Sequence, residues 1–220
     1  SSDKKTGSLA TLCCETDFVA KGDDFSEAAK TLTAYMAACE SDEGASALAE
    51  TEVDGKTFGQ IITEMVSKTG EKTEIGDFSR YKIQGSGIVG CYIHFNGKLG
   101  AMIEIETSSD EVSAAIEQLA TEICMHVTAM NPIAVDRTAV DSETIENEKA
   151  IAADQVKNKP ANIVDKIIEG KLNKYFSENC LVDQKFVKDD SKTVGKALEE
   201  GAKSAGGTAK IKRFVRFEIS

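Results

Sequence analysis

Apolar and polar positions along this chain follow two periods, and the places where the period changes mark the elements. From Ser8 to Cys14 the residues Leu9, Thr11 and Cys13 fall on one side of an extended chain and Ala10, Leu12 and Cys14 on the other, which predicts a strand buried on both faces. The apolar run stops at Glu15. Thr16 and Asp17 favour a turn, and Asp23-Asp24 then cap a helix carrying Phe25, Ala28, Ala29, Leu32 and Met36, which fades near Cys39. Residues 40-57 are polar and contain glycine, and read as a solvated connection. Thr57 to Gln60 has capping-box spacing at the start of a helix striped by Phe58, Ile61, Ile62, Met65 and Val66 and ended by Gly70. Residues 74-83 read as extended. Val89, Cys91, Ile93 and Phe95 alternate into Asn96-Gly97, and Leu99, Ala101, Ile103 and Ile105 alternate away from it, the pattern of a hairpin closed by a type I′ turn.

Ser108 and Glu111 are spaced to cap one long helix through Val112, Ala115, Ile116, Leu119, Ala120, Ile123, Val127 and Met130, stopped by Asn131-Pro132. A charged helix over 141-156 leads to Lys159-Pro160, a boundary signal. Ile163, Val164, Ile167, Ile168, Leu172 and Tyr175 stripe the next helix, Cys180 to Val187 is apolar, and Asp190-Ser191 opens a helix ending at Gly206-Gly207. Ile211, Val215, Phe217 and Ile219 predict one face of a closing strand, with Phe214 and Arg216 on the other. The helical stretch has more apolar surface than one hairpin hides, so it is expected to pack on another surface such as a second copy of itself.

The chain has 220 residues, is 41% hydrophobic and holds only two prolines, enough for a folded core in one or two domains. A formal net charge of -11 argues against a phosphate-backbone binder and leaves proteins as the expected partners, with no direct nucleic-acid role. No run of about 18 apolar residues occurs, so no transmembrane helix is expected. The six cysteines form no Cys-x-x-Cys pair and lie in apolar runs, which favours small buried hydrophobes over disulfides or a zinc site, and no metal or cofactor is expected. His126 lies on the edge of a buried stripe with no nucleophile at a partnering distance, so it reads as structural and not catalytic.

The corner from Cys13 to Val19 sets an acid beside an aromatic between a strand and a helix. In its bland reading Asp17 orders the turn and Phe18 plugs the local core. Gly97 to Met102, followed by Glu104-Ile105-Glu106-Thr107 and the acidic start Asp110-Glu111, repeats the order of Gly7 to Leu12 followed by Glu15-Thr16-Asp17. Two related strand-to-helix units suggest a duplicated scaffold. The second unit lacks the Asp-Phe pair, so the pair suggests a site.

Four stretches, Cys14 to Ala20, Met125 to Pro132, Gln184 to Val194 and Arg213 to Glu218, closely resemble the bacterial and organellar elongation factor Ts family. The resemblance implies an α+β fold with two related core subdomains, each an antiparallel sheet with helices, and an inserted helical-hairpin dimerisation region. The expected divisions are 1-80 for the N-subdomain, 81-156 with 210-220 for the C-subdomain, and 157-209 for the insertion. It further implies a guanine nucleotide exchange factor for the GTPase EF-Tu, working without covalent chemistry. Carried over by residue, Thr16, Asp17, Phe18 and Val19 match the partner-binding wedge that disturbs the magnesium site of EF-Tu, and Leu99, Gly100 and His126 match further partner contacts. The small N-terminal helical domain and the C-terminal helical module of some relatives have no counterpart in the sequence. With a first residue other than Met, this fits a product of an organelle, the plastid ahead of the mitochondrion, or a bacterial cytoplasmic protein. The competing reading is a module that binds EF-Tu or the ribosome without promoting exchange, released from a larger precursor. A metal or thiol enzyme would rest on the cysteines and His126 alone.

Overall fold

The structure, a computed structural model, describes residues 1-156 and 160-219. Strand β1 (Thr6–Cys14) feeds a single turn of helix, α1 (Asp17–Ala20), and then α2 (Asp23–Ala38). Gly22 occupies the N-cap of α2, so Asp23 and Asp24 act inside its first turn, where their charge suits the positive end of the helix dipole. Tyr35 joins Ala28 and Leu32 on the buried face, while Ala29, expected there, is exposed. Residues 40-57 are more ordered than their polarity predicts. They form α3 (Ala45–Glu50), with Leu48 fully buried, and a small hairpin of β2 (Glu52–Val53) and β3 (Lys56–Thr57). Asp54 and Gly55 at its turn have φ of 52° and 78°, the two positive angles that a type I′ turn needs.

The expected capping box starts α4 (Phe58–Thr69): Thr57 Oγ1 accepts from the Gln60 N–H, and Gln60 Oε1 accepts from the Thr57 N–H. Gly70, left-handed at φ 72°, ends it. Strand β4 (Thr73–Lys82) pairs antiparallel with β1 and runs through the boundary expected at residue 80. Strands β5 (Gly87–Ile93) and β6 (Leu99–Thr107) form the second hairpin. Its turn differs from expectation. Among its residues only Gly97 has positive φ, 70°, and the Gly97 N–H donates to the His94 carbonyl at 2.8 Å, so the turn is not type I′.

The long helix expected from Ser108 is two, α5 (Asp110–Ala115) and α6 (Glu117–Met130), broken at Ile116. Ser109 caps α5 through its Oγ, while the Ser108 hydroxyl accepts from the Thr208 N–H. Thus β1 and β6 are each followed by a short helix and then a long one. A 3-10 turn (Arg137–Ala139) leads to α7 (Ser142–Asp154) and α8 (Ala161–Asn179). Then come β7 (Lys185–Phe186), β8 (Asp189–Thr193) and α9 (Val194–Ser204), whose N-cap is Thr193 and not the expected Asp190. The last strand, β9 (Ala209–Glu218), completes an antiparallel sheet in the order β5-β6-β9. A one-residue bulge beside Glu104 shifts its register at Lys212. The shift puts Ile211 and Phe214 against one core and Val215 and Phe217 against another, whereas strict alternation had grouped Ile211 with Val215.

Three clusters hold the fold. Leu12, Leu32, Tyr35, Leu48, Phe58, Met65 and Phe78 form the first, around β1, β4 and the early helices. Ile103, Ile105, Ile116, Ile123 and Val127 form the second together with Leu181, Phe186, Val194, Leu198 and Ile211. The third, with Leu9, Tyr81, Val89 and Met102, lies where the two sheets meet. Strand β1 therefore serves two cores, Leu12 in one and Leu9 in another. Within the insertion expected over 157-209, Leu181, Phe186, Val194, Ala197 and Leu198 belong to this second cluster, and residues 157-159 lie outside the described ones. What stands apart is the α7-α8 hairpin, based on Ala134, Val140 and Cys180 through Ile145, Tyr175 and Phe176.

Candidate functional site

Local chemistry builds the corner after β1 from its polar residues. Glu15 accepts the Lys72 N–H at 3.0 Å, which ties the end of β1 to the start of β4. Thr16 caps α1, its Oγ1 accepting from the Val19 N–H at 3.3 Å while its hydroxyl donates to Glu71 Oε2 at 2.8 Å. Val19 is buried and anchors the turn. With both ends held, Phe18 is 88% exposed. It does not plug the core, as the bland reading required. Burial and the charges of Glu71 and Asp17 raise the Cys14 thiol above its usual range, although a backbone hydrogen bond at Thr16 opposes them, so this cysteine is a poor nucleophile at neutral pH.

Asp17 reaches across to the second hairpin, where its Oδ1 lies 3.7 Å from Lys98 Nζ. Both side chains are exposed, so the ion pair contributes little energy and chiefly records how close the two tips are. Beside Lys98, Leu99 is half-buried and lines a groove with Tyr92, Met125, Thr128 and Val187. Gly100 is buried, and a Cβ there would stand 3.2 Å from Leu9 Cδ1, so it serves the close approach of the sheets. His126 lies under the groove with none of its surface exposed. Its Nε2–H donates to Gln184 Oε1 at 2.9 Å, and its Nδ1 accepts the Val187 N–H at 3.2 Å. Desolvation lowers its pKa, opposed by the Gln184 bond, and the two contacts fix the neutral tautomer.

The structure thus brings Thr16, Asp17, Phe18 and Val19 to within one ion pair of Leu99, and sets His126 beneath the other end of the same groove. It also displays residues not singled out as a site. Phe95 is 92% exposed, Ile93 is 63% exposed, and Val187 stands half out of the β7-β8 turn. Phe95 could have been noticed, because the alternation continues to it past Ile93, the last residue of β5. Gln184 opens one of the stretches that carry the resemblance, but spacing does not show its role, since its partner His126 lies 58 residues away.

Among the described residues no group of three His, Cys, Asp or Glu is placed to hold a metal ion, and the six cysteines are free. Cys39, Cys124 and Cys180 are the buried small hydrophobes expected, Cys13 and Cys14 are half-buried, and Cys91 is exposed. No helix among these residues is long and apolar enough to cross a membrane.

A family model described as "Elongation factor TS" matches residues 15-220. The elongation factor Ts of a Nitratiruptor species is 37% identical over 221 residues, covering 100% of this chain and 72% of the relative. Those of Clostridium botulinum and Clostridioides difficile are each 38% identical over 99% of this chain, covering 72% and 71% of their own lengths. The two regions that carry the display described above, the corner at Thr16 to Val19 and the Leu99 hairpin, both lie within the matched span, and the chain belongs to the elongation factor Ts family.

Proposed function

We propose that this chain is a guanine nucleotide exchange factor for EF-Tu in translation elongation, acting by protein binding and not by covalent chemistry. The observation that carries the reading is the exposure of Phe18 on a turn braced by Thr16, Glu71 and Val19. A large ring held in water is an anchor for another surface. In this reading Phe18 and Asp17 enter between elements of the GTPase that hold its magnesium and phosphates. Displacing them weakens nucleotide binding without any bond being made or broken. Linkage sets the rest: a factor that prefers the nucleotide-free form must lower nucleotide affinity by the same factor.

Leu99 adds apolar surface beside Lys98, and Gly100 acts by letting the two sheets meet. His126 is a positioning residue, because it reaches the groove only through the Val187 backbone. The α7-α8 hairpin is the proposed site of self-association, with Ile151 and Ile163 exposed on its helices. The setting is that of the partner, in bacterial cytoplasm or in organellar stroma or matrix.

The test is release of labelled GDP from EF-Tu. Acceleration by substoichiometric amounts of the chain supports the reading. Unchanged release under a large molar excess overturns it and leaves a binding module that does not promote exchange.

A further inference from the structure

We propose that Phe95 is a second aromatic anchor for the partner that receives Phe18, so that this protein grips it at two points held on one face. The inference rests on the exchange-factor reading and adds a residue to its contact surface. Phe95 occupies the tip of the β5-β6 hairpin and is 92% exposed. A lone exposed aromatic would mean little, since apolar atoms make up much of any protein surface.

Three features set this one apart. The ring is pre-organised: the His94 ring lies 4.3 Å from it between centroids, and His94 is itself held by a 3.0 Å hydrogen bond between its Nδ1 and the Tyr92 hydroxyl. The turn that carries it is fixed by the Gly97 N–H to His94 carbonyl bond and by Asn96 Oδ1, which accepts the Lys98 N–H at 3.0 Å. An anchor ordered before binding gives up less entropy on docking. Finally, the same turn supplies Lys98, whose ammonium is 3.7 Å from Asp17, the residue next to Phe18. Phe18 adjoins Asp17 and Phe95 lies three residues before Lys98, so the segments that carry the two exposed rings are joined by one ion pair. Exposed Ile93 lines a recess with Lys98 and Leu99, and Leu99 also lines the apolar groove that holds His94 and Val187.

The partner feature that fits is an apolar recess beside the cleft entered by Phe18, with polar groups to meet Asp17 and Lys98. The experiment measures affinity for nucleotide-free EF-Tu and the rate of GDP release for wild type, Phe18→Ala, Phe95→Ala and Phe95→Leu. Expected for Phe95→Ala is a loss of affinity of about tenfold or more, as for an interface anchor, with an unchanged melting temperature. Phe95→Leu should recover part of that loss, because a large apolar group remains. Affinity of Phe95→Ala within twofold of wild type, while Phe18→Ala is impaired, overturns this inference and spares the exchange-factor reading. Failure of wild type itself to bind or to release GDP overturns both.

Discussion

The His126 ring and the Gln184 side-chain amide are joined by a 2.9 Å hydrogen bond across 58 residues of sequence, and that bond fastens α6 to the segment that leads into β7. Gln184 also donates to the Glu178 carbonyl, so the end of α8 meets the same point. A protonated ring could not accept from Val187 at Nδ1.

Stability should therefore depend on pH through His126. Its pKa in the fold is lowered below the usual 6.5, chiefly by desolvation. The unfolded chain binds the proton first as pH falls, so the contribution of this residue is fully present above 6.5 and is lost as pH drops through the folded value. Urea midpoints measured between about pH 8 and 5 should fall more steeply for wild type than for His126→Gln. Parallel curves would show that the ring does not titrate against the fold.

Phe18→Ala and Phe58→Ala should separate display from packing. Phe58 is fully buried against Tyr35, with ring centroids 5.2 Å apart, and its loss should cost about 3–5 kcal/mol of stability. Phe18→Ala should leave thermal unfolding nearly unchanged and remove most of the acceleration of GDP release. A large drop in melting temperature for Phe18→Ala would return that residue to the core.

Removal of the Thr16 hydroxyl should impair the same activity with Phe18 intact. Thr16→Ala loses both the cap on the Val19 N–H and the bond to Glu71, at a cost of about 1 kcal/mol locally. Thr16→Ser keeps the hydroxyl and should restore exchange, and a Thr16→Ala variant with full exchange activity would show that the brace is dispensable.

Self-association is expected to follow the α7-α8 hairpin. Ile151→Asp with Ile163→Asp changes two exposed positions, so the chain should stay folded while sedimentation equilibrium shifts toward monomer. An isologous contact of this kind should bury on the order of 1,200 Å² or more. A wild type that is monomeric at every concentration measured removes the proposal.

The sequence made some of this architecture legible and hid the rest for identifiable reasons. The β5-β6 hairpin and the Thr57 capping box are local, and both are found where spacing put them. The turn at Asn96-Gly97 was misread because dipeptide preference does not see loop length, while Asp54-Gly55 does make the type I′ turn. Helix α3 offered one buried leucine, too short a signal for periodicity. The bulge at Lys212 defeated strict alternation, and the break at Ile116 falls inside an unbroken apolar stripe. At the site, Thr16 to Val19 stood out as a motif and Phe95 continued a visible alternation, but the tether between His126 and Gln184 joins segments 58 residues apart.

Strand β9 bears on how the protein is made. It closes the sheet on β6, with Glu218 paired to Leu99 and Ala209 to Thr107, and it delivers Ile211 to the second core cluster. Pairings this remote in sequence are slow to form. During synthesis β6 has a bare edge and its core an unfilled place until residues 209-218 have emerged, so the nascent chain passes through a period in which an open strand is available to other chains. The strand that ends the exposure of β6 is thus the one that follows α9, more than a hundred residues of chain after its partner.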